Sequence, residues 1–141
     1  MKAERARLVR LQRLERVRAI AKQAAAQEAA AAEGTLAQLE ALAERTRLLA
    51  ADYAGRSHAR DGGALQQIER FAGGLQTIYA RTSNDAAQAR RIADNKMAEL
   101  AAAELRRSIV EDHANKKART IASRGETPSL DARKRFGTGL E

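Results

Sequence analysis

The chain reads as an all-α protein: a long antiparallel two-helix coiled-coil hairpin with a flexible C-terminal tail. Three observations predict this. Residues 3–54 and 64–122 carry apolar side chains at helical spacing without a Pro, since the one Pro, Pro128, lies beyond both. A short polar stretch holding several Gly, residues 55–63, separates them and reads as the turn. A seven-residue repeat runs through each stretch, the pattern of a left-handed helical pair. The expected organisation is a hairpin over residues 1–122, turning at about 55–63, and a basic tail over 123–141.

In the first stretch, with position a at Leu11, the a series is Leu11, Arg18, Ala25, Ala32, Leu39, Thr46 and Tyr53. The d series is Leu14, Ala21, Glu28, Thr35, Leu42, Leu49 and Arg56, with Leu8, Val17 and Leu36 widening the stripe. Seven of the eleven residues in 23–33 are Ala, so this part of the seam permits close helix approach but buries little area per residue. Glu28 at d and Arg18 at a are unusual for a sealed seam and point to exposure or snorkelling.

Asp61-Gly62-Gly63 supplies loose backbone before the second stretch. There, with a at Leu65, that series runs Leu65, Ala72, Tyr79, Ala86, Ala93, Leu100, Arg107, Ala114 and Ile121. The d series runs Ile68, Leu75, Thr82, Ala89, Lys96, Ala103, Val110 and Lys117. Phe71, Ile78, Ile92, Met97, Leu105 and Ile109 broaden or shift the apolar face. The densest packing is expected beside the turn, where Leu39, Leu42, Leu49 and Tyr53 can meet Leu65, Ile68, Phe71, Ala72 and Leu75. Gly73-Gly74 is a weak point, either a kink or a close approach, costing about 1 kcal/mol per Gly relative to Ala. Past residue 122 the repeat is lost, and Gly125, Pro128, Gly137 and Gly139 argue against continued helix.

Composition narrows the functional classes. Leu, Ile, Val and Phe number 25 of 141 residues, too few for a large compact core, and Ala makes up part of the deficit as a helix former. Two Tyr, two Phe and no Trp leave no base-stacking platform. Without Cys there is no disulfide, thiolate zinc site or cysteine nucleophile. No run approaches the length of a membrane span, and the charged N-terminus is no cleavable secretory signal.

The net charge of +8 is unevenly placed. Residues 1–22 carry eight basic and two acidic side chains (+6), residues 23–105 nine and eleven (−2), and residues 106–141 nine and five (+4). A hairpin brings the first and last segments together as a basic, amphipathic end suited to an acidic partner. The interleaved Leu8, Val9, Leu11, Leu14, Val17 and Ile20 make this surface suited equally to a protein or a membrane, and protein docking is the leading reading. Nonspecific nucleic-acid binding by Arg5, Arg7, Arg10, Arg13, Arg16 and Arg18 is the alternative.

Catalytic, metal and cofactor sites are not expected. Ser57, His58 and Asp61 stand together in the turn but have neither a nucleophile elbow nor a core to position them. Glu111, Asp112 and His113 are consecutive, so a helix points them in different directions. Arg60-Asp61-Gly62-Gly63 lacks the lysine and the preceding strand of a phosphate loop.

The basic-amphipathic start LVRLQRLERV, the run LAQLEALAERTRLLAADY before the turn and LQQIERFAGGLQTIY after it resemble the flagellar export protein FliJ family and the related YscO-like stalk proteins of type III secretion, over residues 5–122. The resemblance implies a cytoplasmic, bacterial, non-enzymatic stalk, an antiparallel coiled coil that enters the ring of the export ATPase and couples it to the membrane export gate. Export chaperones are further partners it implies, and no cofactor or small-molecule substrate. On that reading the joined terminal end touches the ATPase through Leu8, Arg10, Leu11, Arg13, Leu14, Arg16, Val17, Val110, Lys117 and Ile121. The turn end, with Tyr53 and Phe71, faces the export gate or the chaperones.

Overall fold

The structure, a computed structural model, describes residues 1–56 and 61–136, with side chains as far as Gly125. Two helices make the fold, α1 over Lys2–Ala54 and α2 over Gly62–Phe136, packed against each other as an all-α hairpin with no strand among the described residues. Asp61 starts α2 as its N-cap: the Ala64 amide donates to Asp61 Oδ1 at 2.7 Å, and the Leu65 amide donates to the Asp61 carbonyl. At the end of α1, Gly55 N–H donates to the Ala51 carbonyl at 3.0 Å and Arg56 N–H to that of Tyr53 at 3.2 Å. Ser57, His58 and Arg60 of the expected turn lie outside the described residues.

The helix ends differ from expectation at one place. α2 continues through Phe136, past residue 122 where the repeat is lost. Gly125 and Pro128 lower helix propensity locally, and the helix runs through both; Leu130, Ala132, Arg133, Lys134 and Arg135 beyond them are good helix formers. Residues 137–141 of the expected tail lie outside the described residues.

The chain divides into two compact units, each pairing a stretch of α1 with a stretch of α2: Met1–Ala25 with Leu100–Glu141, and Ala26–Glu99. In α2 the seam follows the expected a and d series, with Leu65 left exposed at its start. In α1 the a series faces α2 as expected, but the d series does not. Leu14, Ala21, Glu28, Thr35, Leu42, Leu49 and Arg56 are all exposed. Their seam places are taken by the residues one position further on: Leu8, Glu15, Lys22, Ala29, Leu36, Ala43 and Ala50. The repeat is still heptad, rotated by one residue. Physical cost explains the choice. Turning the d series inward would bring the bulk of Leu14, Leu42 and Leu49 between the helices, whereas the alternative offers Ala29, Ala43 and Ala50 and lets the backbones approach, with Glu15 and Lys22 drawn to half-burial.

The densest packing is therefore not beside the turn. The core of the second unit is Leu36, Ala89 and Ala93, with Ala32 and Leu39 packed against it, while Leu42, Leu49, Leu65 and Phe71 are largely exposed. Among the described residues seven of the eight buried apolar side chains are Ala, Leu36 being the other. Thr46, also buried, donates its hydroxyl to the Leu42 carbonyl at 2.8 Å and so needs no partner across the seam. α2 passes unbroken through Gly73-Gly74, and a Cβ at either position would meet nothing within 4 Å, so these glycines serve no close approach.

Two outcomes test this packing. Leu36→Ala should lower unfolding free energy by about 2–4 kcal/mol, while Leu42→Ala, half-exposed, should cost under about 1 kcal/mol, both read from urea denaturation followed by circular dichroism. Gly74→Ala should raise stability by about 0.5–1 kcal/mol in the same assay, as an exposed helical Gly with open space around it.

Candidate partner-binding surface of the terminal unit

The first unit pairs the start of α1 with the later part of α2, and its seam is far more polar than that of the second unit. From α1 it takes Glu4, Leu8, Leu11, Glu15, Arg18 and Lys22, and from α2 Leu100, Ala103, Arg107, Val110, Ala114, Lys117 and Ile121, of which Ala114 is buried and the rest half-buried. Long charged side chains at such places lay their stems on the seam and turn their heads to water. Three of these charges, Glu4, Lys22 and Arg107, are paired across and along the helices.

Arg107 is the centre of this network. Its Nε and Nη2 donate to the two oxygens of Glu104 at 3.0 and 2.8 Å, and its Nη1 donates to Glu111 at 2.8 Å. Lys22 of α1 stands 2.7 Å from Glu104 and ties the helices together. The Arg107 hydrogen bonds, then that of Lys22, hold the Glu104 carboxyl down to about 2 from an ordinary 4.5. Arg107 is in turn raised by Glu104 and Glu111. Nearer the N-terminus Arg124 pairs with Glu4 and lowers its carboxyl in the same way. Arg18 Nε and Glu4 Oε2 are buried without a hydrogen-bond partner.

This network sorts the residues expected at the partner site into two groups. Leu8, Leu11, Val110, Lys117 and Ile121 are half-buried in the seam and hold the unit together. Arg10, Arg13, Leu14, Arg16 and Val17 are exposed and available to a partner. Three further apolar side chains belong with them: Ile20, 67% exposed, on α1, and Leu105 and Ile109, 62% and 48% exposed, on α2. In the sequence Ile20 stands among the interleaved apolar residues of the basic end, whereas Leu105 and Ile109 read there as part of the apolar face. Arg10, Arg13, Val17 and Ile20 follow one another at three, four and three residues, a single stripe on the side of α1 away from the seam. Arg5, Arg7, Arg10, Arg13 and Arg16 are in no ion pair.

The turn-end candidates lie in the second unit. Tyr53 is half-buried and Phe71 half-exposed, their rings 4.6 Å apart in an edge-to-face arrangement. The Arg56 guanidinium lies 4.3 Å over the Tyr53 ring and pairs with Asp52 at 3.0 Å. Tyr53 is thus engaged within the fold, and Phe71 offers its free edge.

Elsewhere the described residues hold no group of three or more His, Cys, Asp or Glu placed to bind a metal, and no helix long and apolar enough to cross a membrane. Asp112 and His113 line an open surface cleft with Ile109 and Lys116, while Glu111 is taken up by Arg107. No protein-family model, curated protein or solved structure matches the chain.

The depressed carboxyls make the terminal unit acid-sensitive with a definite sign. A group whose folded value lies below its unfolded one adds stability above about 4.5 and loses it as pH falls toward about 2. Amide protection factors at residues 100–125, taken relative to the intrinsic exchange rate at each pH, should therefore fall through that window, and Glu104→Gln should flatten the dependence.

Proposed function

We propose that the chain is a non-enzymatic stalk or adaptor of a bacterial flagellar-type (type III) protein export apparatus. It acts in the cytoplasm at the membrane-bound machinery, binding the export ATPase ring through the terminal unit and coupling the ring to the export gate or to export chaperones. The resemblance over residues 5–122 supplies the partner. The observation that carries the reading is the outward stripe Arg10, Arg13, Val17 and Ile20, in which unpaired cations adjoin strongly exposed apolar side chains on one helix face.

That combination suits a protein surface bearing acidic and apolar groups side by side. The cations steer the encounter and set its salt dependence, and the apolar pair supplies the desolvated centre. Coupling is mechanical: two partners that each contact the helical pair differently in two states bias one another's equilibrium through it.

Nucleic acid is the second reading, favoured by the unpaired Arg5, Arg7, Arg10, Arg13 and Arg16. Against it, no Phe, Tyr or Trp stands in residues 1–25 or 100–125 to stack on a base, and phosphate binding has no use for Val17 and Ile20.

The test is co-precipitation and ATPase turnover with the purified export ATPase. Arg10→Glu with Arg13→Glu should weaken association at least about tenfold, and Val17→Asp with Ile20→Asp should do the same while leaving salt dependence in place. Absence of association by the unaltered chain, with tight salt-sensitive nucleic-acid binding instead, would move the assignment to the second reading.

A further inference from the structure

The two flanks of the terminal unit differ in charge. On α2, Glu104 and Glu111 stand one residue after the seam positions Ala103 and Val110, on the flank where Arg107 and Lys22 hold them. The opposite flank begins one residue before the seam positions Leu8 and Glu15 of α1 and Arg107 and Ala114 of α2. It presents Arg7, Leu14, Arg106 and His113 there, and three residues further on Arg10, Val17, Ile109 and Lys116, all exposed. No Asp or Glu occupies these positions among the described residues. Asp112 borders them, in the open cleft it shares with Ile109, His113 and Lys116. Glu4, half-buried in the seam, is taken up by Arg124. Arg7, Arg10, Arg106 and Lys116 are in no ion pair among the described residues.

The groups on this flank are also ordered along its length. Lys22 against Glu104 and Glu4 against Arg124 set the helices so that Ile109 stands about level with Val17, and His113 with Leu14. Leu14, Val17 and Ile109, 40%, 59% and 48% exposed, therefore form the middle of the flank. Arg7, Arg10 and Lys116 lie on the side toward the start of α1, and Arg106 on the other. From Arg7 to the level of Arg106 the flank runs about 20 Å at 1.5 Å per residue.

An aliphatic centre with cations at both ends indicates the partner. The face is two helices wide, of one sign, and holds no acid to specify an orientation, so it matches a partner that is itself uniform. An anionic bilayer is such a partner, a plane of negative headgroups over an apolar layer. Arg and Lys lay their stems along the apolar boundary and keep their heads among the phosphates. A nucleic-acid backbone would meet the cations but leave Leu14, Val17 and Ile109 in water.

We propose that this flank of the terminal unit binds an anionic lipid bilayer, with Leu14, Val17 and Ile109 at the acyl boundary and Arg7, Arg10, Arg106 and Lys116 on the acidic headgroups. The contact goes beyond the export reading and does not rest on it. Arg10 and Val17 belong also to the outward stripe of α1, whereas Arg106, Ile109 and Lys116 lie outside that stripe, so variants of α2 separate the two.

Flotation of the full chain with phosphatidylcholine vesicles containing about 30% phosphatidylglycerol, beside vesicles of phosphatidylcholine alone, tests it. Binding to the acidic vesicles is expected at about 50 mM salt and should fall at about 300 mM, with at least about tenfold less on the neutral ones. Arg106→Glu with Lys116→Glu should weaken binding at least about tenfold, and Ile109→Asp about tenfold with the salt dependence kept. Arg5→Glu with Arg16→Glu makes the same charge change on the opposite flank and should cost under about threefold. All five side chains are exposed, so helical circular dichroism should persist in each variant.

A chain that does not float with the acidic vesicles at about 50 mM salt overturns the proposal, whatever its association with the export ATPase. So does equal loss from the two charge-reversed pairs, which marks net charge alone. Displacement by about 10 mM inorganic phosphate at constant ionic strength marks a simple anion site and overturns it too. Indifference to Ile109→Asp, with equal affinity for a DNA duplex, overturns it in favour of nucleic acid.

Discussion

Close approach of two helices through alanine is the constraint on which the rest of the second unit depends. Ala29, Ala43 and Ala50 on α1 face a seam lined on α2 by Ala86, Ala89 and Ala93, and only Leu36 brings bulk into the buried core. Each Ala buries little area, so the stabilisation comes from many short contacts along a long seam. The same closeness has no room for Leu42 or Leu49, which are turned aside. What looks from composition like a shortage of core residues is thus also a surplus of apolar surface, since several of the few large side chains lie outside the seam.

The two units solve the same packing problem with different chemistry. In the second, small apolar side chains meet and ion pairs such as Glu40–Arg90 and Glu28–Lys96 sit at the edges. In the first, charged residues occupy seam positions themselves, and the fork of Arg107 between Glu104 and Glu111, joined by Lys22, does the work of apolar contacts. Partly exposed charge networks make modest net contributions to stability, but they are directional and sensitive to pH and salt. A terminal unit held this way leaves Arg10, Arg13, Val17 and Ile20 free on its outside.

Much of this was legible in the sequence. The missing Pro, the Gly-bearing break and the heptads defined two helices and their pairing, and the α2 register was readable directly because Ala, Leu and Ile recur at a and d. The α1 register was not. Both candidate seams share the a series, and counting apolar bulk favours the one with Leu14, Leu42 and Leu49. The choice turns on the backbone distance that Ala29, Ala43 and Ala50 allow, which depends on the partner helix rather than on α1 alone. The extent of α2 differs as well: Gly125 and Pro128 are strong local signals against helix, yet the backbone runs through both to Phe136. Of the terminal site, the cations were plain from charge placement, but Ile20, Leu105 and Ile109 emerge as surface only once the seam is known.

A seam of methyl groups is smooth. Leucine zippers lock by knobs in holes, so sliding one helix past the other means withdrawing large side chains; alanine offers shallow relief and resists axial displacement weakly. In the second unit the longitudinal alignment then rests on few groups: Leu36 and Leu39 in the core, Ile68, Leu75 and Tyr79 along α2, and the partly hydrated pairs Glu40 with Arg90 and Glu28 with Lys96. A register that leans on so few groups makes each of them costly to replace, and it concentrates the alignment of about seventy residues in a handful of side chains.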